Sequence, residues 1–295
     1  MRVAEHLGAE ILSLDSMKIY RGMDIGTAKA TRSERDRIPH HLVDVVDPHE
    51  SFNVKRFFES ADAAIADIRS RGRWPFLSGG TILYLKALLH GLSGPPSDPE
   101  IRERLKREAE DAGSTRMHER LREVDGEAAD RIHPNDIRRI VRALEVHEMT
   151  GQPISSFQTD FAREQTRYDA VLVGIRRDRA DLHHRIDARV EHMISDGLVE
   201  EVRAIREGSG FGREASQALG YKEILDHLEG LLSLDEARER ICYATHQFAR
   251  HQMTWLRRFP QIHWLDAEPD EPSESLAERS LGWIEPRLAG RTASS

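Results

Sequence analysis

The chain has one cysteine in 295 residues, Cys242, which excludes a disulfide framework and any multi-cysteine zinc site. No run approaches the roughly 20 apolar residues that a membrane span needs, and these residues contain no secretory h-region. There is no His-Glu-x-x-His string for a zinc hydrolase and no Gly-x-Ser-x-Gly elbow for a serine hydrolase. There is no Gly-x-x-x-x-Gly-Lys-Ser/Thr phosphate loop either. Cations are not in excess: the net charge of −8 argues against an indiscriminate nucleic-acid coat, while leaving room for local basic faces. What remains is a globular, cytoplasmic type of protein, long enough for one large domain or two unequal ones.

The elements that are present alternate. Residues 1–7 read as the end of a helix, with Gly8 where a C-terminal cap belongs. Residues 10–14 form a short apolar run that fits a buried strand, ending in Asp15 and Ser16. Residues 17–37 are loop-like, and 41–46 fit a second short strand. Phe57, Ala61, Ala64, Ile65 and Ile68 recur at helical spacing, so an amphipathic helix follows, closed by Gly72. Residues 74–78 make another buried strand, followed by Gly79, Gly80 and Thr81 and an apolar helix. This order predicts an α/β fold with a parallel sheet. The glycines and prolines of 91–99 mark a boundary, after which the pattern turns helical and highly charged until a strand returns at 168–175. We therefore expect an α/β core over 1–97 and 166–295, interrupted by an all-helical insertion over 98–165. Later, a stripe from Leu182 to Ile194 marks a helix, and Ser233 with Glu236 forms a capping box for a long helix ended by Pro260. Residues 262–265 fit a last strand, and the tail is expected to fray.

Several residues suggest chemistry. Asp15 stands at the carboxyl end of a parallel strand, where open α/β sheets place their ligands. A carboxylate there can hold a metal, act as a base, or simply cap the next turn. Gly79, Gly80 and Thr81 lie between a strand and a helix, which suits an anion cradle or only a tight turn. The 22–29 segment reads as a surface loop whose Lys29 is free to meet a polyanion. Arg138, Arg139 and Arg142 share neighbouring faces of a helix expected to start at Asn135; they can read phosphate and bases, or form a solvated face paired to Glu145. His246, Arg250 and Arg257 share a line on the long helix, with Lys222 before it, a set that suits diphosphate.

Together these segments resemble the tRNA dimethylallyltransferase (tRNA isopentenyltransferase) family. The resemblance rests on Asp15-Ser-Met-Lys-Ile-Tyr-Arg-Gly-Met-Asp-Ile-Gly-Thr-Ala-Lys29, on His40-His-Leu-Val-Asp-Val-Val-Asp-Pro48 and on Gly79-Gly-Thr-Ile-Leu-Tyr84. It continues, in order, with His133-Pro-Asn-Asp-Ile-Arg-Arg-Ile-Val-Arg-Ala-Leu-Glu145, Gly220-Tyr221 and Gln252-Met-Thr-Trp255. It implies a P-loop-kinase-like parallel sheet flanked by helices, with an inserted helical tRNA-binding subdomain. It implies transfer of a dimethylallyl group from dimethylallyl diphosphate to the exocyclic amine of the adenosine 3′ to the anticodon. On that resemblance Asp15 is the general base, and Asp15, Ser16, Met17, Lys18, Thr81, Arg102, Arg138, Arg139, Ile140, Val141 and Arg142 contact the tRNA anticodon stem-loop. Lys222, His246 and Arg250 help bind diphosphate, and Mg²⁺ neutralises it. A monomer with no membrane partner is expected.

The family pattern opens with a strand and a phosphate loop that these residues lack, so an impaired enzyme or a late-assigned start is expected. His246 and His251 stand where the family carries arginine, and Lys18 where it carries glutamine. The alternatives are a non-catalytic tRNA-binding remnant and a prenyltransferase acting on free adenine nucleotides; the arginine helix and the large insertion favour tRNA over the latter.

Overall fold

The computed structural model describes every residue except 92–94, 96, 158–165 and 292–295. The chain divides into two compact units, one made of residues 1–89 and 168–295 and the other of residues 90–167.

The first unit opens with α1 (Arg2–His6), closed by Gly8 in the left-handed region at φ +59. β1 (Glu10–Leu14) follows, and all five of its residues are buried, as a strand inside a parallel sheet requires. Its parallel neighbours are β2 (His40–His41) on one side, reached through α2 (Arg32–Arg37), and β3 (Pro75–Gly79) on the other. The strand expected over 41–46 is thus much shorter. Leu42 and Asp44 take φ values of +59 and +56, which no strand can hold, and pairing resumes only as an isolated bridge between Tyr20 and Val46. Between β2 and β3 runs α3 (Val54–Ser70), capped by the Asn53 side chain accepting from the Lys55 and Arg56 amides. Its buried residues are Phe57, Ala61, Ile65 and Ile68, most of the expected stripe; each large apolar side chain there contributes about 1.5–3 kcal/mol by leaving water. After β3 comes α4 (Ile82–His90).

The second unit is helical where described: α5 (Pro99–Ala112), α6 (Ser114–Val124), α7 (Gly126–Arg131) and α8 (Ile137–Thr150). Its own core contains Leu105, Met117, Leu121, Ile140, Val141 and Leu144. α8 is capped by Asp136, whose carboxylate accepts from the Arg139 amide, and not by Asn135. Gly151 ends it in the left-handed region, as expected.

The chain then returns to the first unit through β4 (Val173–Arg177), which begins later than the pattern suggested. α9 (Arg179–Ser195), α10 (Leu198–Glu207), α11 (Tyr221–Leu228) and α12 (Leu234–Leu256) follow. The Ser233–Glu236 capping box at the head of α12 is formed in both directions. β5 (His263–Ala267) pairs in parallel with β4 as a separate two-stranded sheet. In the described part of the tail, expected to fray, α13 (Ser273–Leu288) instead buries Leu276 and Ile284, and residues 292–295 of that expectation lie outside the described residues.

Among the described residues β3 is paired only along β1, and β4 only along β5. Both strands line one cavity of about 630 Å³, together with Leu182 of α9, Met253 of α12 and Ile284 of α13. Pro75, Phe76, Leu77 and Val173 are only half-buried there, and Ile175 is 51% exposed, in contrast to the sealed β1.

The one carboxylate in β1, Glu10, has a side chain only 7% exposed. Arg71 donates to both of its oxygens, and His41 Nε2 lies 2.7 Å away. The Arg71 guanidinium holds the Glu10 carboxyl below the usual carboxylate range; burial opposes this and the His41 bond adds to it. A depressed folded value stabilises the protein above the unfolded value and is lost as pH falls through the folded one. Glu10→Gln is therefore expected to lower stability at pH 7, with the deficit against the parent shrinking as pH drops below about 4. Urea unfolding at stepped pH checks this, and a deficit that persists at low pH would contradict it.

Candidate active site

The carboxyl ends of β1 and β3 are stapled together. The Ser16 amide donates to Thr81 Oγ1 at 3.1 Å, and the Thr81 amide donates to the Leu14 carbonyl at 3.0 Å. Two glycines make this approach possible. Gly79 sits at φ +154, and a Cβ there would lie 2.5 Å from the Leu14 carbonyl carbon. A Cβ on Gly80 would lie 2.2 Å from Gln252 Nε2, which instead donates to the Gly80 carbonyl at 2.9 Å. Gln252 thereby ties α12 to the same turn.

Asp15 leaves β1 at this point. Its Oδ1 accepts from the Met17 amide at 2.8 Å and the Lys18 amide at 3.3 Å, so the capping reading is realised. Oδ2 takes no hydrogen bond among the described residues. The carboxylate is thus held in place with one oxygen uncommitted, a geometry that also serves a base. Lys18 is half-buried nearby; burial lowers its pKa, the Asp15 charge raises it, and Arg189 and Lys29 lower it further. Arg189, on α9, carried no signal in the sequence.

The 22–29 segment departs from expectation. The Lys29 side chain is 1% exposed, and its Nζ donates to the Tyr20 carbonyl (2.7 Å) and to Asp44 Oδ1 (2.6 Å), and pairs with Asp24 Oδ1 at 2.6 Å. It is a buried structural cation and is not open to a polyanion. From outside the loop, Glu201 accepts from the amides of Asp24, Ile25 and Gly26. The sequence offered no hint of this, since Glu201 is one of many acidic residues on a charged helix face.

The residues expected at the diphosphate are not joined by any hydrogen bond or ion pair among the described residues. Lys222 and Arg250 are exposed on α11 and α12. His246 turns toward α9, where its ring stacks on His183 at 3.9 Å and its Nε2 lies 2.9 Å from Asp187 Oδ1. The expected line through His246, Arg250 and Arg257 is therefore split: His246 packs and the two arginines face solvent. Among the described residues, no group of three or more His, Cys, Asp or Glu side chains converges so as to hold a metal ion.

In the second unit, Glu145 is fully buried and collects Arg102, Arg142 and the Asp98 amide; its bonds from Arg102 are 2.9–3.1 Å and that from Arg142 is 2.9 Å. A buried carboxylate needs such partners. Ile140 and Val141 are buried in the core of this unit, so their side chains contact neighbouring helices. Arg138 and Arg139 are exposed, and among the described residues Arg139 has an ion pair, to Asp136 at 3.4 Å, while Arg138 has none. The paired and unpaired readings of the arginine helix are thus both realised, by different residues.

Comparison with known proteins agrees with this architecture. The family model described as IPP transferase matches residues 18–259. The chain is 47% identical over 284 residues to a tRNA dimethylallyltransferase of Symbiobacterium thermophilum, covering 96% of this chain and 89% of the relative. It is similar to the crystal structure of a full-length tRNA isopentenylpyrophosphate transferase from Bacillus halodurans, with a TM-score of 0.70, 36% identity, and coverage of 97% and 90%. A eukaryotic dimethylallyltransferase, solved in crystallographic snapshots acting on tRNA, aligns with a TM-score of 0.80 at 27% identity, covering 98% of this chain and 75% of its own. With the P-loop-kinase-like α/β fold in place and these likenesses running along almost the whole sequence, the chain belongs to the IPP transferase family, a family of transferase enzymes.

Proposed function

We propose that this protein transfers a dimethylallyl group from dimethylallyl diphosphate to the exocyclic amine of the adenosine 3′ to the anticodon of tRNA, as a cytoplasmic monomer. The observation that carries this reading is Asp15: a carboxylate at the carboxyl end of the central strand, fixed through Oδ1 and uncommitted at Oδ2. An adenine amine is a weak nucleophile, so a positioned base contributes typically 10²- to 10⁴-fold. In the step, the amine nitrogen bonds to the allylic carbon, the carbon–oxygen bond to diphosphate breaks, and the amine proton passes to Asp15. Diphosphate leaves with the electron pair. Ser16, Met17, Lys18 and Thr81, arranged around the same turn, suit the extruded base.

In the helical unit, Arg138 and Arg139 are the arginines open to phosphate, while Arg102 and Arg142 meet RNA from positions fixed by Glu145. Ile140 and Val141 support that surface from within. Arg250 and Lys222 are the cations left for diphosphate, with His246 held back against α9.

We further propose that the cavity between β3 and β4 is the seat of one more parallel strand, carrying the phosphate loop and the Mg²⁺ ligand that these 295 residues lack. Two strands whose other edges are unpaired among the described residues, half-buried apolar side chains and an apolar lining support this. The same open cavity favours, as a second reading, a tRNA-binding remnant without turnover.

Two measurements test these proposals. Asp15→Asn, which keeps an Oδ1 acceptor for the Met17 and Lys18 amides, is expected to lower turnover at least about 100-fold while anticodon stem-loop binding stays within a few-fold; retained turnover in a folded variant removes Asp15 as the base. Prenyl transfer by the 295 residues alone is expected to be weak, and to rise when an in-frame strand and phosphate loop are fused ahead of Met1. Robust turnover without them contradicts the impairment, and tight tRNA binding without turnover in either form supports the remnant.

A further inference from the structure

Residues 22–29 are gripped from two sides by opposite charges. Three successive backbone amides, of Asp24, Ile25 and Gly26, point at one carboxylate, that of Glu201 on α10. The distances are 3.0 and 2.7 Å to Oε2 and 3.3 Å to Oε1. Such a run of N–H groups forms an anion-binding concavity, and here a side chain from 175 residues away in sequence fills it. Tyr221, fully buried at the head of α11, donates its hydroxyl to Glu201 Oε1 at 2.5 Å and so fixes the carboxylate. Its ring lies where a Cβ on Gly26 would be, 2.5 Å away, so the loop backbone rests directly on the aromatic face. On the other side, buried Lys29 draws in Asp24, Asp44 and the Tyr20 carbonyl.

The brace reaches the candidate active site through the backbone. The Tyr20 carbonyl is bound by Lys29, while the Tyr20 amide donates to the Met17 carbonyl at 3.2 Å. Met17 in turn donates to Asp15 Oδ1. Ile19, Tyr20 and Met23 are buried in one core cluster, so this stretch is packed as a unit.

We propose that Glu201, oriented by Tyr221, is a positioning residue that clamps residues 22–29 and thereby holds the turn at 15–18 in the geometry that receives the adenosine. The clamp is read from the geometry alone; its effect on RNA rests on the function proposed above. Glu201 touches no reacting atom. A carboxylate accepts from all four donors at once, whereas an amide presents one acceptor oxygen and an NH₂ group that faces donors.

The test compares Glu201→Gln with the parent protein by amide hydrogen exchange and by binding of an anticodon stem-loop RNA. Exchange is expected to accelerate at least about tenfold at residues 22–28, with β1 and α3 unchanged, and the stem-loop Kd to rise about tenfold. Tyr221→Phe, which keeps the three amide bonds, is expected to give a smaller change in both. Unchanged exchange at 22–28 overturns the clamp. Acceleration spread evenly through the unit, with a lowered melting temperature, reduces Glu201 to a general stabiliser and also overturns it. Local acceleration with an unchanged Kd overturns the link to the 15–18 turn. If the parent protein fails to bind the stem-loop, the proposed function fails, and the exchange measurement still decides the clamp.

Discussion

The structure depends on how closely the end of β3 can approach the end of β1. At Gly79 the separation from the Leu14 backbone leaves no room for a side chain, and at Gly80 the space is taken by Gln252. Because both positions lack a Cβ, the two strand ends, the Asp15 turn, the Thr81 hydroxyl and α12 meet within a few bonds of one another. A parallel sheet gathers its carboxyl ends along one edge, so chemistry placed there can draw on several elements at once. The glycine pair is therefore a packing requirement first, and it gives the site its shape only through that packing.

A second constraint is that buried charges are matched individually. Glu10 is matched by Arg71 and His41, Lys29 by Asp24 and Asp44, and Glu145 by Arg102 and Arg142. Removing one partner of such a pair typically costs about 3–5 kcal/mol because the other charge stays buried. These pairs also decide which cations remain available for a ligand. Of the residues with an arginine or lysine signature, Lys29 and Arg142 are engaged by the protein itself, while Arg138, Arg139, Lys222 and Arg250 face solvent. A net charge of −8 is compatible with a polyanionic substrate on these terms, since what matters is the local set of solvent-facing cations.

Much of the fold was legible in the sequence because its signals are local. The run at 10–14, the stripe through Phe57 and Ile68, the strand before Gly79 and the capping box at Ser233 each depend on residues within a turn or two. Asp15 was legible by position, as the first polar residue after a buried strand. What was not legible depends on distant partners. The second strand fails because Leu42 and Asp44 adopt left-handed backbone so that Asp44 can meet Lys29, 15 residues earlier. Lys29 resembles any surface lysine until Asp24 and Asp44 close over it. Glu201 gives no warning at all, because a carboxylate that binds three backbone amides has the same sequence context as one that faces water. The tail forms α13 because Leu276 and Ile284 find an apolar neighbour surface that the polar composition of the segment obscures.

The same reasoning separates β1 from β3 and β4. Strands with apolar residues on both faces are built for burial on both faces, and β1 achieves it completely. β3 and β4 carry equally apolar residues, Phe76, Leu77, Val173 and Ile175, yet stop half-way. In β3 the backbone alternation that points Trp74 and Phe76 at β1 points Leu77 toward the cavity, and in β4 the alternation that points Leu172 at β5 points Val173 and Ile175 there. Unpaired amides and carbonyls beside unburied apolar side chains are costly in both respects at once. A single extended segment would relieve both, because a strand offers hydrogen bonds along its two edges and side chains on its two faces. A small apolar ligand would relieve only the second. The edge groups and the lining of the cavity are thus the features on which the strand proposed for it rests.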